Sequence, residues 1–437
     1  MSSSNRVFTR SLLAAAAGLF ALCAVRSATA AGTDSVLAGG GGGRWVATWT
    51  SAPIKPGQTT INALFGNDLA RTFDNQTVRN IAHISVGGRK VRVRVSNEFG
   101  TKPPRVGAAY VALRHQNAAI LAGTNRRLTF SGQGSLQIPA GAVAVSDAVD
   151  LDVPNAGDVA VSLYLPGNAE AATYHDETLQ TSYVAGPGTG NRANAADLPG
   201  AAAGVSTYYL TGVEVMQSDA TRSVVAFGDS ITQGSGSTRD QHRGWPELLS
   251  TRLNPNPQRP RLSVVNQGVG CGRLLWDFCG PSGLARFDRD VLTVSGATHV
   301  IVHLGLNDIT IPSILPLFGQ PQFAAEAVSA NEIIAGLHQI ALRAKARGLT
   351  VIGATIMPFG SSTVPGVATP ENEAKRQSVN RWIRTGGAFD AVVDFDAAVR
   401  DPANPARMLP QYDFDGVHPS DAGHQALANA INLALLF

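Results

Sequence analysis

Three groups of polar residues stand at points where apolar, strand-like runs of the sequence end, and together their types could support nucleophilic catalysis. Ser230 follows the run SVVAFGD, and a serine that leaves a buried strand through a glycine turn can present its hydroxyl above the sheet. Asn307 follows HVIVHLGL and can donate a side-chain N–H into the same crevice. Asp415 precedes His418 by three residues, so the carboxylate can hold the ring through Nδ1 and leave Nε2 free for a serine.

Each group also has a structural interpretation when it is taken alone. A serine directly after a strand commonly caps the following helix, and Asn307 could equally cap the next one. The combination is what indicates a nucleophile, a base, an orienting acid and a donor of hydrogen bonds.

The elements that must position these residues belong to an alternating pattern that starts near Arg222. Strand-like and helical runs alternate, and the strands are continuously apolar. This pattern predicts an α/β domain with a parallel sheet covered on both faces, where ligands collect at the carboxyl ends of the strands. We expect strands at 223–228, 262–268, 298–305, 349–356 and 391–395, and helices at 330–348, 371–386 and 420–436.

The preceding part of the chain, residues 45–220, has a different pattern. Short runs alternate between apolar and polar residues and are separated by turn residues, as in KVRVRVSN (90–97) and DVAVSLYL (158–165). This spacing of short strands predicts a β-sandwich. The composition of residues 185–205 predicts a loop before the second domain.

Four motifs in the second half resemble, in the same chain order, the signature blocks of GDSL/SGNH hydrolases: GDSITQG (228–234), NQGVGCG (266–272), GLND (305–308) and DGVHP (415–419). The resemblance implies an SGNH-like three-layer α/β domain over residues 221–437. The opening WVATWTSAP (45–53) and the β-rich region behind it resemble a subgroup with an extra N-terminal β-domain. Secreted bacterial esterases that act on glycans are among the relatives of that subgroup.

The resemblance also implies a role for each matching residue. Ser230 is the nucleophile, His418 is the base that removes its proton and later protonates the leaving alcohol, and Asp415 orients His418. Asp229 is interpreted as a structural residue of the turn. Neither a metal nor a cofactor is implied.

An oxyanion hole is implied as well, with one departure from the family pattern. Its donors are the backbone N–H of Ser230, a backbone N–H of the second block at Gly270 or Cys271, and the side chain of Asn307. Cys271 stands where the family usually has glycine. Cysteine can serve there because the donor is a backbone group, provided that its φ is compatible.

The N-terminus has the features of a secretory signal peptide over residues 1–30. Arg6 and Arg10 precede an apolar stretch, 12–25, which is shorter than the roughly 20 residues that span a bilayer, and an A-x-A site ends the segment at Ala30. Residues 31–44 are glycine-rich and predict a flexible leader. The sequence thus predicts an exported protein without stable membrane insertion, and periplasmic and extracellular locations both stay open.

Removal of the signal peptide changes both the charge and the cysteine count. The 437-residue chain has 35 Lys and Arg against 32 Asp and Glu, and three of the basic residues lie in the signal peptide. The mature chain is therefore neutral, which argues against a nucleic-acid partner.

Cys271 and Cys279 remain and predict a disulfide, with two buried thiols as the alternative. We hypothesise that the disulfide fixes the backbone donor of the oxyanion hole.

The leading interpretation is a secreted serine esterase that hydrolyses carboxylic esters, with short acyl groups such as acetyl on a carbohydrate or a similar alcohol. The first alternative is a lipase or phospholipase, for which ILPLFGQPQF (314–323) could form an apolar groove or lid. The second is a carbohydrate-binding protein with a vestigial hydrolase site. The expected partner is an ester substrate, for which a glycan ester is one option, and the oligomeric state stays open.

Overall fold

The computed structural model describes most of the chain after the N-terminal segment, and the described residues are 43–56, 72–170, 172–217, 220–255 and 262–437. The predicted signal peptide, 1–30, lies outside the described residues, as does the predicted leader up to residue 42. Gly43–Phe437 forms one compact unit. Its first strand already begins at Arg44, the last residue of the predicted leader.

The first part of this unit consists of β-strands. They are β1 (Arg44–Thr50), β2 (Thr72–His83), β3 (Gly88–Ser96), β4 (Arg105–Val106), β5 (Ala108–Gln116), β6 (Ala119–Ile120), β7 (Arg126–Leu128), β8 (Leu136–Gln137), β9 (Val143–Val145), β10 (Val149–Val153), β11 (Asp158–Glu170), β12 (Tyr174–His175), β13 (Ser182–Val184), β14 (Ala202–Gly204), β15 (Thr207–Tyr208) and β16 (Leu210–Gln217).

Two antiparallel sheets of these strands form the predicted β-sandwich. One has the order β1-β16-β3-β10, with β9 also paired to β3, and the other has the order β14-β13-β2-β11-β5-β6, with β7 paired to β5. Alternate side chains of both sheets meet in one apolar core, to which Val93 and Val213 contribute from the first sheet and Val111 and Val161 from the second. The alternation of apolar and polar residues seen in the sequence is the cause of this two-layer packing.

The second part contains the parallel sheet. Its strands are β17 (Arg222–Gly228), β18 (Leu262–Gly268), β19 (Ala297–His303), β20 (Thr350–Ala354) and β21 (Ala391–Val393), in the order β18-β17-β19-β20-β21. A small antiparallel pair follows, β22 (Arg400–Asp401) and β23 (Asn404–Met408). The observed strands begin within one residue of each predicted start, and β19, β20 and β21 each end two residues before the predicted end.

Eight α-helices accompany these strands in the part of the chain that the structure describes. They are α1 (Ser230–Gln233), α2 (Trp245–Leu253), α3 (Gly283–Phe287), α4 (Leu306–Ile314), α5 (Ala330–Lys345), α6 (Pro370–Thr385), α7 (Phe395–Val399) and α8 (Asp421–Ala430).

The helices form two packed groups, α2 with α7 and α8, and α3 with α4, α5 and α6. Together with the sheet they give the predicted three-layer α/β fold. Helix α8 has ten residues, whereas the sequence predicted a longer helix. It ends early because Ile431 has an extended backbone, and a 3₁₀ turn follows. None of the helices in the described ranges is long and apolar enough to cross a membrane.

The β-sandwich and the parallel sheet are joined by buried hydrogen bonds between β1, β18 and the turn after β2. The Ser263 hydroxyl donates to the Ala47 carbonyl at 2.6 Å, and the Val264 N–H donates to the Ser85 hydroxyl at 2.9 Å. The Thr50 hydroxyl donates to the Asn266 carbonyl at 2.9 Å. The sandwich is therefore fixed against the strand whose end carries the second motif.

Candidate active site

The first motif forms a sharp turn between β17 and α1. A side chain on Gly228 would place its Cβ 2.7 Å from the His303 carbonyl oxygen and would overlap the Thr232 hydroxyl, so only glycine fits there. Asp229 caps α1, because its Oδ1 accepts the Ile231 N–H at 3.1 Å. This turn places Ser230 at the first position of the helix, beyond the carboxyl end of the strand.

The last motif brings a histidine and an aspartate to this serine. The Ser230 Oγ lies 2.9 Å from His418 Nε2, and His418 Nδ1 lies 2.8 Å from Asp415 Oδ2. Asp415 Oδ1 also accepts the backbone N–H groups of Val417 and His418, at 3.0 and 2.8 Å. The same carboxylate therefore closes the turn and orients the ring. A spacing of three residues is enough for Asp415 to reach His418 because the turn folds the chain back between them.

The protonation state of Asp415 follows from these contacts. Partial burial disfavours the charged carboxylate, but the hydrogen bond and the charge of His418, together with the two backbone N–H groups, outweigh it. The net effect lowers the pKa of Asp415 to about 2. Asp415 is consequently ionised at any pH near neutrality and can stabilise a positive charge on His418.

The third motif lies at the start of α4 and supports the loop that follows β18. The Asn307 side-chain N–H₂ donates one hydrogen bond to the Gly272 carbonyl at 3.0 Å, which leaves its second hydrogen for another acceptor. The buried Asp308 carboxylate accepts the N–H groups of Leu274 and Leu275, at 2.7 and 2.9 Å. Neighbouring residues of one motif thus fix both halves of the 269–275 loop.

Within this loop most backbone N–H groups are engaged. Just before the loop, the Gly268 N–H donates to Asn266 Oδ1 at 2.9 Å, and within it the Gly272 N–H donates to the Val269 carbonyl at 2.9 Å. The N–H groups of Gly270 and Cys271 have no acceptor among the described residues. They are the two positions from which the sequence predicted a backbone donor.

Cys271 adopts a left-handed backbone conformation, with φ of +47°. This region costs a residue with a side chain about 1–2 kcal/mol, which explains why glycine would be the ordinary choice. The predicted disulfide to Cys279 is present, with the Cα atoms 5.7 Å apart. Both cysteines are buried beside Phe278, Ile311 and Leu315, so a small apolar cluster holds the loop as well.

Comparison with known proteins agrees with this geometry. Residues 226–426 match the model of the GDSL-like Lipase/Acylhydrolase family, and this segment includes all four motifs. The C-terminal domain belongs to the GDSL-like lipase/acylhydrolase family. It is therefore the domain of a carboxylic ester hydrolase.

Solved structures of this family and of esterases align with about half of the chain. A GDSL-like lipase from Bacteroides thetaiotaomicron has 20% identity over 49% of this chain and 88% of its own, with a TM-score of 0.35. An aryl esterase from M. smegmatis has 16% identity over 48% and 95%, with a TM-score of 0.37. A carbohydrate acetylesterase from Sinorhizobium meliloti has 18% identity over 49% and 100%, with a TM-score of 0.37. No curated protein sequence matches the chain.

Asp229, the residue before Ser230 in the first motif, is buried. The sequence analysis interpreted it as a structural residue of the turn. Burial raises the pKa of Asp229 to about 7, although the Ile231 N–H and the charges of His418 and Arg286 act in the opposite direction. Its Oδ2 has no hydrogen-bond partner among the described residues. Its side chain serves as the helix cap and makes no hydrogen bond to the Ser230 hydroxyl.

Sequence reasoning missed Arg286, a fully buried arginine of α3 that supports two of the family motifs. Its guanidinium donates to the Gly228 carbonyl at 2.7 Å and to the Gln267 carbonyl at 2.8 Å, and it is paired with Asp290 at 3.0 Å. The guanidinium also lies 4.2 Å from the centroid of the Phe227 ring. Arg286 and Asp290 at i and i+4 form a common surface pattern, so the sequence carried no specific sign of burial.

A second contribution that the sequence did not reveal comes from a β-sandwich loop, residues 174–181, which borders the GDSL domain beside the nucleophile. The Gln233 side chain of α1 donates to the Glu177 carbonyl and lies 3.4 Å from Asp176 Oδ1. A Cβ on Gly270 would be 3.7 Å from Asp176 Oδ2, so this carboxylate lies close to the 269–275 loop.

Glu177 of this loop is electrostatically coupled to the site. Burial and the charge of Asp176 raise the pKa of Glu177, while Arg239, His175 and His418 lower it. Glu177 and the exposed Arg239 thus bring carboxylate and guanidinium groups to the surroundings of His418. The neighbouring His175 is buried, with Nδ1 2.7 Å from the Ala52 carbonyl oxygen.

Removing the disulfide should slow the reaction, and two paired variants separate its contribution from that of the backbone. In Cys271→Ala/Cys279→Ala we expect kcat to fall about tenfold, which corresponds to ~1.4 kcal/mol, because alanine disfavours the left-handed conformation. In Cys271→Gly/Cys279→Ala we expect a smaller loss, because glycine adopts that conformation without strain. Initial-rate kinetics with a p-nitrophenyl ester measures both.

Mild reduction of the parent should likewise lower kcat without unfolding the protein. Circular dichroism provides the folding control. Unchanged activity in a native enzyme that has two titratable thiols would contradict a role for the disulfide in the site.

Proposed function

We propose that this protein is an exported serine esterase that cleaves carboxylic esters through an acyl-enzyme formed on Ser230. The observation that carries the proposal is the continuous hydrogen-bond chain from the Ser230 hydroxyl through the two ring nitrogens of His418 to Asp415. This arrangement is the one that a weakly acidic hydroxyl needs in order to act as a nucleophile near neutral pH.

In the acylation step the Ser230 Oγ attacks the ester carbonyl carbon, and its proton moves to His418 Nε2. The resulting imidazolium is stabilised by the ionised Asp415 on the opposite side of the ring. When the tetrahedral intermediate collapses, the C–O bond to the alcohol breaks and His418 returns the proton to the departing oxygen. Water then repeats the sequence on the acyl-enzyme and releases the carboxylic acid.

The negative charge of the tetrahedral intermediate requires donors on the side opposite His418. We assign this role to the Asn307 side chain, the backbone N–H of Ser230, and the N–H of Gly270 or Cys271. The backbone assignment is supported by the hydrogen bonds that already engage the N–H groups of Gly268 and Gly272. The proposed chemistry requires neither a metal nor a cofactor.

The alcohol part of the substrate is proposed to be polar and rich in hydroxyls, as in a carbohydrate. The support is the 174–181 loop, because Asp176 lies near the Gly270 turn and the charges of Arg239 and His418 act on the Glu177 carboxylate. Such groups bind hydroxyls by charge-assisted hydrogen bonds. The acyl part is proposed to be short, such as acetyl, as in the glycan esterases that the N-terminal motif resembles.

A longer acyl chain is the second candidate, and one observation favours it. Leu317 and Phe318, which follow α4, are 62% and 55% exposed, and Phe414 beside Asp415 is 65% exposed. Leu317 and Phe318 belong to the 314–323 segment that the sequence identified as a possible groove or lid. Exposed apolar side chains on a hydrolase domain could bind the acyl chain of a lipid ester.

Hydrolysis of p-nitrophenyl acetate and p-nitrophenyl octanoate should distinguish these two substrates. We expect a higher kcat/KM for acetate, a loss of about 10⁶-fold in kcat for Ser230→Ala, and a loss of about 10²–10³-fold for Asn307→Ala. A preference for octanoate would support the lipase alternative. Equal activity of the parent and of Ser230→Ala would overturn the serine mechanism itself and leave a binding function.

The Glu177→Gln substitution should affect sugar esters more than simple esters. With a monoacetylated methyl glucoside we expect kcat/KM to fall about tenfold or more, the effect of losing one charge-assisted hydrogen bond of about 1.5 kcal/mol. With p-nitrophenyl acetate, whose leaving group has no hydroxyl donor, kcat/KM should change little. Glu371→Gln, on an exposed helix face, is the matched control. Equal losses with both substrates would contradict a role in alcohol recognition.

A further inference from the structure

Away from the Ser230 site, two histidines and an aspartate meet between the β-sandwich and the GDSL-like domain. His83 Nδ1 lies 2.7 Å from Asp158 Oδ1, and His242 Nε2 lies 3.7 Å from the same oxygen. The three atoms lie within 4.8 Å of one another. The two imidazole rings are stacked, with centroids 3.5 Å apart and an angle of 10° between their planes.

Both parts of the protein contribute to this cluster. His83 is the last residue of β2 and Asp158 is the first residue of β11, and the two are directly paired in the antiparallel register. His242 comes from the segment between α1 and α2 and has a left-handed backbone, with φ of +53°. This conformation is uncommon for residues with a side chain, and it directs the segment towards the sandwich.

We propose that His83, Asp158 and His242 form a zinc-binding site that links the β-sandwich to the GDSL-like domain. Two imidazole nitrogens and one carboxylate oxygen are a ligand set that Zn²⁺ prefers, with metal–ligand distances of about 2.0–2.2 Å and a fourth position for water. Ligand atoms around such an ion lie roughly 3.3 Å apart. The observed separations of 2.7 and 3.7 Å bracket that value. Because the two rings are stacked, one of them must also rotate about its side-chain bonds so that its nitrogen points at the ion.

The surroundings of the cluster suit a metal. The Arg114 Nη1 donates to Asp158 Oδ2 at 3.0 Å and is held in turn by a 3.0 Å bond from its Nε to the Asn117 carbonyl. The carboxylate is thereby oriented with Oδ1 towards the two histidines, as outer-shell groups do at zinc sites.

Zinc at this position would stabilise the border of the active site. The segment that carries His242 also carries Asp240, whose carboxylate accepts the N–H of Thr181 at 2.6 Å and the side-chain N–H of Gln180 at 2.8 Å. Both partners belong to the 174–181 loop beside the nucleophile. Fixing His242 to the sandwich therefore restrains that loop. This inference does not depend on the proposed ester substrate.

The test is equilibrium dialysis of the chelator-treated full-length mature protein against zinc chloride, with bound zinc measured by mass spectrometry of the metal. We expect one zinc per chain and a rise in melting temperature with zinc. His242→Ala and Asp158→Asn should weaken binding by at least about tenfold, since outer-shell changes alone cost that much. His115→Ala, an exposed histidine on β5, should bind as the parent does.

His418→Ala is a further control, because the His418–Asp415 pair could also attract zinc. Its zinc stoichiometry should stay at one per chain. X-ray absorption at the zinc edge of the parent should show two imidazoles and further oxygen ligands, a measurement that does not require any variant to fold. An absence of bound zinc in the parent, equal binding by His242→Ala, or a spectrum without two imidazoles would overturn the proposal.

Discussion

The active-site region depends on the close approach of two glycine turns at the carboxyl ends of β17 and β18. Gly228 and Gly268 are direct partners in the parallel register, and a Cβ on Gly268 would lie 2.6 Å from the Cα of Gln233 in α1. Side chains at either position would push the turn that carries Ser230 and the 269–275 loop apart. The buried Arg286 adds to this constraint, because one guanidinium binds a carbonyl at the end of each strand.

Several further interactions depend on this contact. With the two turns fixed, Asn307 and Asp308 at the start of α4 can hold the loop after β18 by its Gly272 carbonyl and by two later N–H groups. The left-handed conformation of Cys271 is then maintained by the disulfide and by the apolar side chains around it. In this account the position of the Ser230 hydroxyl is set by packed backbone, which preorganises the site before any substrate binds.

The sequence allowed the parallel sheet, the β-sandwich and the four motifs to be predicted, because apolar periodicity and short motifs are local properties. The strand over 262–268 was predicted with its observed bounds. The role of the β-sandwich could not be predicted in the same way. Glu177 and Gln233 are far apart in sequence, and only the tertiary packing brings them together. The His83–His242 stack has the same origin, since its members belong to different parts of the fold.

The left-handed Cys271 illustrates a different limit. The motif usually has glycine at this position, so the sequence indicated where backbone strain would arise. The contacts that hold Cys271 in the strained conformation come from Cys279 and from Ile311 and Leu315, which no local sequence pattern identifies. Arg286 is similar, because a buried arginine is recognised only when its carbonyl partners are known. What sequence reasoning left open at this site is thus the set of supporting contacts, while the assignment of Ser230, His418 and Asp415 as reactive groups stays a prediction.

The central claim is that Ser230 is a nucleophile activated by His418, and covalent labelling tests it most directly. The protein would be treated with a fluorophosphonate, and the modified residue would be identified by peptide mass spectrometry. We predict a single adduct, located on Ser230, and a strongly reduced rate of labelling in a folded His418→Ala variant. Labelling at another residue, or equal rates in the two proteins, would contradict the account.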